Sequence, residues 1–156
     1  MMEYWQKIRE KIGHDKFIVT GSSAAILDNS NRVLLQKRAD KNCWGFPGGL
    51  AELEESFTET AVREVKEETG LDVQVDELIG IYSKYSHEFA NGDKIQPVLA
   101  FFKCIKVGGE FYCDKKETLD LRYFAFDERP ELLNKQHEDM FNDLFDYLKN
   151  KNVKIR

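Results

Sequence analysis

The chain has 156 residues, 42% of them hydrophobic and 33% charged, with a formal net charge of −5. That balance fits one soluble globular domain, and the acidic excess excludes the basic footprint that polymeric nucleic acid requires. No run is apolar and long enough to span a bilayer, so no membrane role is expected.

The first fifteen residues, MMEYWQKIREKIGHD, alternate charged with apolar side chains and do not read as a signal peptide. Tyr4, Ile8 and Ile12 recur at helical spacing, and Gly13 follows as a stop. Strands are predicted over Phe17–Leu27 and Arg32–Arg38, joined by DNSN as a hairpin turn. CWGFPGG mixes aromatics with Gly and Pro and should break any regular element. A helix then starts at Ser56, whose partner Glu59 completes a capping-box pattern, and ends at Gly70. Further strands are predicted over Val73–Tyr82, Gln96–Ile105 and Leu121–Phe126, with an Asn-Gly turn in ANGDK. Met140, Phe141, Leu144, Phe145 and Leu148 mark an amphipathic C-terminal helix. Strands before, between and after helices predict an α/β fold, a mixed sheet sandwiched by helices.

Cys43, Cys104 and Cys113 are odd in number and widely spaced, which points away from disulfides and zinc and toward a reducing cytoplasm. His14, His87 and His137 match no zinc spacing and read as surface or loop residues.

Gly48 to Leu71 holds seven glutamates against two bases, Arg63 and Lys66. On a helix turning about 100° per residue, Glu64, Glu67 and Glu68 share one arc of about 100°. They border the apolar face of Ala61, Val62 and Val65. Each like-charge pair at this spacing costs about 0.2–0.5 kcal/mol, more where water is excluded. A hard divalent cation with oxygen ligands would offset that cost. A solvated acidic face is the plain alternative, and spacing alone divides the two evenly.

Gly49, Glu55, Arg63 and EVKEETGL together form G-x5-E-x7-R-E-U-x-E-E-x-G-U, where U is bulky aliphatic. Every specified position is filled over residues 49–71, and the stretch resembles the Nudix box of the Nudix hydrolase family. The resemblance implies a single domain over 1–156 with the α/β/α sandwich of that family. It implies a pyrophosphohydrolase dependent on Mg2+, with Mn2+ as a substitute, acting on a nucleoside diphosphate linked to another group. ADP-ribose or another sugar nucleotide, and a nucleoside triphosphate of the MutT type, are the two substrate classes. Glu64 and Glu68 should be the main metal ligands, with Glu67 near a further ion and the Gly48 carbonyl contributing. Glu64 should also orient or deprotonate the attacking water. Glu55 and Arg63 resemble the family's internal ion pair.

Glu117 is the best match to an acid that the family draws from outside the box, with Asp114 and Asp120 as rivals and Asp93 and Glu88 behind them. Arg38 could meet a phosphate, and Trp44, Phe46, Tyr82, Tyr85 or Phe89 could stack on a base, against the plainer reading of these aromatics as packing. Many family members carry Gly where this chain has Glu54. The small-molecule nucleotide is the expected partner, and the resemblance admits a homodimer. A Nudix fold kept as a non-catalytic nucleotide sensor or interaction module is the alternative function.

Overall fold

The computed structural model describes residues 1–156. Its elements are α1 (Tyr4–Ile12), β1 (Phe17–Ile26), β2 (Val33–Arg38), β3 (Trp44–Gly45), β4 (Gly48–Leu50), α2 (Phe57–Thr69), β5 (Leu71–Tyr82), β6 (His87–Glu88), β7 (Lys94–Gly109), β8 (Thr118–Phe124), α3 (Lys135–Asn150) and β9 (Lys154–Ile155). No helix is long and apolar enough to cross a membrane.

A mixed sheet runs in the order β4-β1-β7-β5-β9, with β6 paired to β7. Within it β1 and β7 are parallel, while β5 and β7 are antiparallel. A second, antiparallel sheet runs β3-β2-β8. The apolar runs fill two cores at once. Ala24, Ile26, Leu34 and Phe102 pack with Ala61 and Val65 of α2. Ala25, Leu35 and Phe101 pack with Met140, Phe141 and Leu144 of α3. Neighbouring residues point to opposite faces of a strand, so one uninterrupted apolar run supplies both layers. The result is the expected α/β/α sandwich.

The DNSN segment is a turn, but it does not close a hairpin. Asp28 Oδ1 accepts from the backbone N–H of Ser30 and Arg32, at 2.9 and 3.0 Å, and Asn31 takes a left-handed φ of 56°. One bridge forms, Leu27 to Val33, and the strands then part into different sheets. Both edges of β1 are already taken, by β4 and β7, so β2 must pair elsewhere. CWGFPGG is also more regular than its composition suggests, since it contributes β3 and β4. The Asn-Gly turn forms as expected, with Gly92 at φ 87° and Phe89 N–H donating to Asp93 O at 2.8 Å.

Candidate active site

The seven glutamates sort by what they touch. Glu52 accepts from the Tyr4 N–H at the start of α1, at 3.1 Å. There it meets the positive end of that helix. Glu59 closes the capping box of α2, accepting from Ser56 N–H at 2.8 Å while Ser56 Oγ accepts from Glu59 N–H at 3.2 Å. Glu55 receives a fork from Arg63, Nε to Oε1 at 2.5 Å and Nη2 to Oε2 at 2.9 Å. Glu54 sits in a turn with φ 66°, the left-handed region where glycine is the easier residue. Glu64, Glu67 and Glu68 remain, all on α2.

Glu64 is largely covered, its side chain 13% exposed, whereas Glu67 is 56% exposed. Arg63 Nη1 donates to Glu64 Oε1 at 2.8 Å and to Glu67 Oε2 at 3.3 Å. Glu68 Oε2 accepts from the Gly48 N–H at 2.7 Å, so β4 and α2 meet at this carboxylate. Burial pushes Glu64 up to about 7, with the charge of Glu67 adding and Arg63 opposing. Burial, then the charge of Glu64, pushes Glu68 up to about 8, against the Gly48 N–H, Gln36 and Arg38. Two coupled carboxylates are thus held where their ionised forms are disfavoured. The glycines permit the close approach. A Cβ on Gly48 would lie 2.3 Å from Ser22 O, and one on Gly49 would lie 2.5 Å from the Glu64 carboxyl carbon.

This donor set suits a hard divalent ion. It offers oxygens only, and Arg63 holds Oε1 of Glu64 and not Oε2. No three acidic, histidine or cysteine side chains close a cage around one point. Magnesium does not require such a cage, because it keeps several waters and takes one or two carboxylates together with substrate phosphates.

The other predicted residues fall at different distances from these acids. Glu117 is exposed on the loop before β8, and its charge and that of Glu68 both act on Arg38. Its rivals are committed elsewhere. Asp114 accepts three backbone N–H groups, from Lys116, Glu117 and Thr118, and Asp120 holds Arg122 at 3.0 Å. Asp93 is engaged with His14 and Asn91, and Glu88 faces Lys94. Arg38 rests as a fork on Asp40, both contacts at 3.2 Å. Trp44 packs edge-on against Phe124 at 4.8 Å, with the Arg122 guanidinium over its ring at 5.5 Å. Phe46 and Tyr82 belong to the α3 core, Tyr85 donates to Asp139 at 2.6 Å, and Phe89 is exposed.

His137 departs from the surface reading. It is buried at the start of α3, its Nδ1 accepts from the Phe46 N–H at 3.1 Å, and burial lowers it to about 3. Its place in the first turn of an amphipathic helix was the available signal. Sequence reasoning also passed over Gln36 and Thr118, both buried beside Glu68. A glutamine directly after the apolar run Val33, Leu34, Leu35 was the clue.

The NUDIX domain family model matches residues 19–144. An ADP-ribose pyrophosphatase of Methanocaldococcus jannaschii is 36% identical over 76% of this chain and 68% of its own. The crystal structure of an ADP-ribose pyrophosphatase from Streptococcus suis superposes with a TM-score of 0.70 at 24% identity, over 88% of this chain and 97% of its own. A MutT protein from Methanosarcina mazei Go1 superposes with a TM-score of 0.69 at 20% identity, over 87% and 99%. These last two likenesses show the fold.

Proposed function

The chain belongs to the Nudix family, and from that premise we propose that it is a divalent-metal-dependent pyrophosphohydrolase acting on a nucleoside diphosphate derivative. The observation that carries the reading is the pair Glu64 and Glu68, two half-buried carboxylates that raise each other's cost of ionisation at the junction of α2 and β4. Such a pair is costly unless a cation shares it.

Glu64 and Glu68 would hold a Mg2+ ion, with the Gly48 carbonyl beside them and Glu67 at the exposed rim for a further ion. The bound metal supplies charge neutralisation of the phosphates and of the leaving oxygen. Glu64 orients the attacking water and accepts its proton, or shares that task with Glu117 across the Arg38 side chain. Arg63 fixes Glu64 from behind and touches no substrate. Arg38 is the candidate phosphate contact, where a phosphate would compete with Asp40 for the same guanidinium fork. Trp44 is the candidate base contact, where a base would compete with Arg122 for the ring.

The substrate class follows from products. ADP-ribose is tested first, because that is what the 36% identical relative is named for. AMP with ribose 5-phosphate assigns the sugar-nucleotide class, and a nucleoside monophosphate with pyrophosphate assigns the triphosphate class. A panel of both, at saturating Mg2+, should show turnover that a chelator abolishes. Glu68→Gln should lower turnover at least about a hundredfold with the fold retained. Nucleotide binding without turnover across the panel would instead favour the sensor reading, which the complete set of box acids argues against.

A further inference from the structure

Glu117 is exposed, yet both of its backbone groups are held. Its N–H donates to Asp114 Oδ1 at 2.9 Å, and its carbonyl accepts at 2.9 Å from the N–H of Ala39, the residue after Arg38. The same Asp114 oxygen accepts from the N–H of Lys116 at 2.9 Å and of Thr118 at 3.0 Å. Lys115 completes the turn with a left-handed φ of 62°, and its N–H donates to Thr118 O at 3.1 Å. An aspartate that gathers successive N–H groups in this way sets the course of a short loop. No hydrogen bond or ion pair holds the Glu117 side chain, in contrast to Asp40 and Asp120, which hold Arg38 and Arg122.

The last residue of the turn joins it to the candidate active site. Thr118 is buried, and its hydroxyl lies 2.9 Å from Gln36 Oε1 and 3.0 Å from the Glu68 carbonyl oxygen. Gln36 faces Leu121 and Lys37 faces Asp120, but Arg38 faces Thr118, because Leu119 of β8 is bulged out of register. In an unbroken ladder Leu119 would face Arg38, and Thr118 would point to the opposite side of the sheet. The bulge returns Thr118 to the face that carries Gln36 and Arg38. Lys115 Nζ donates to the carbonyl of the bulged Leu119 at 2.7 Å, so turn and bulge form one unit. Glu117 therefore stands between a residue anchored on α2 at Glu68 and the strand end that carries Arg38.

We propose that Asp114 is a positioning residue, whose carboxylate closes the turn that presents Glu117 to the attacking water. A loop acid free to wander would have to give up that freedom in the transition state, and this turn removes it beforehand. Asp114 touches no substrate and acts through the Glu117 backbone. This rests on the reading of Glu117 as a partner of Glu64 in proton transfer.

The test joins two measurements. One is turnover at saturating Mg2+ of whichever nucleotide the parent cleaves fastest in the panel of ADP-ribose and nucleoside triphosphates. The other is amide hydrogen exchange without metal or nucleotide, on samples whose thermal unfolding shows the fold retained. Asp114→Ala should speed exchange at the Glu117 and Thr118 amides at least about tenfold. It should lower kcat about tenfold to a hundredfold with KM little changed. Asp114→Asn keeps an acceptor oxygen and should recover most of both losses. Asp114→Ala combined with Glu117→Gln should turn over no more slowly than Glu117→Gln alone. Parent kcat in Asp114→Ala overturns the inference, and so does a fall in kcat without faster exchange. An Asp114→Asn variant as slow as Asp114→Ala overturns it too, since charge and not the turn would then matter. A further loss in the double variant places the action of Asp114 elsewhere and overturns it likewise. Parent kcat in Glu117→Gln overturns the reading of Glu117 and the inference with it. A parent that cleaves nothing in the panel overturns the enzymatic reading and both that rest on it.

Discussion

Arg63 has five N–H donors and an acceptor for each: both oxygens of Glu55, the Leu50 carbonyl, Glu64 and Glu67. One guanidinium therefore ties the loop before α2 to the helix and steadies one oxygen of Glu64. Its grip holds Glu55 at about 2, well below the ordinary carboxylate value. A carboxylate held below its unfolded value stabilises the fold above that value, and the contribution is lost as pH falls through the folded one. The window runs from about 4.5 down to about 2. Arg63→Ala should lower stability at pH 7 by about 2 kcal/mol. It should also flatten the decline in stability across that acid window, as read by denaturant unfolding at several pH values. An acid limb unchanged from the parent would show that Glu55 does not depend on Arg63. The ion pair was legible as a motif. The further contacts to Leu50, Glu64 and Glu67 were not, because they depend on how a long side chain lies across the loop.

Helix α2 was the element most completely legible. Its capping box and its left-handed Gly70 at φ 78° stand where spacing placed them, and Ala61 and Val65 of the apolar stripe are buried, whereas Val62 is exposed. The burial of Ala61 and Val65 carries Glu64 and Glu68 inward with it. Desolvation is what would make this helix respond to a metal ion. Glu64 and Glu68 have folded values raised to about 7 and about 8, above the unfolded value of 4.5. The unfolded chain then binds fewer protons than the native one between about 4.5 and 8, so stability falls as pH rises through that window. In chelator the protein should lose thermal stability between pH 5.5 and 8.5. Mg2+ should restore it more at pH 8.5, where the carboxylates are ready to bind, than at pH 5.5. Glu68→Gln should show both effects reduced, since its loss removes one buried charge and relieves the other. Equal Mg2+ stabilisation at the two pH values would place the ion elsewhere. The bulge in β8 left no such trace in the sequence, because register is decided by partner strands and not by the residues of one strand.

Across the whole molecule the sheet separates the acids of α2 from a second polar cluster under α3. Asp143 is buried there and accepts from Arg156 Nε and Nη2, both at 2.8 Å, and from the Tyr82 hydroxyl at 2.8 Å. Arg156 follows β9, a two-residue strand on the edge of β5, and its backbone N–H donates to Ile81 O at 2.8 Å. Nothing in KNVKIR announced this, since two residues carry no periodicity and an arginine reads as surface. The layered architecture was legible because strand and helix patterns differ in period. Which strands pair was not, because a turn such as DNSN reports only its own few residues. Arg156→Ala leaves a buried carboxylate with one hydroxyl partner. The arginine side chain is 41% exposed, so water moderates the loss to about 2 kcal/mol. Asp143→Asn combined with Arg156→Ala should cost less than the two single losses together, since the uncompensated charge is gone. Mn2+ affinity should stay at the parent value in all three variants, because their contacts lie in the core opposite α2. Denaturant unfolding and Mn2+ titration on the same samples separate the two properties. Affinity that falls along with stability would mean that the two layers share a conformational equilibrium, and that the carboxylates of α2 are held by the whole sandwich and not by their own neighbours.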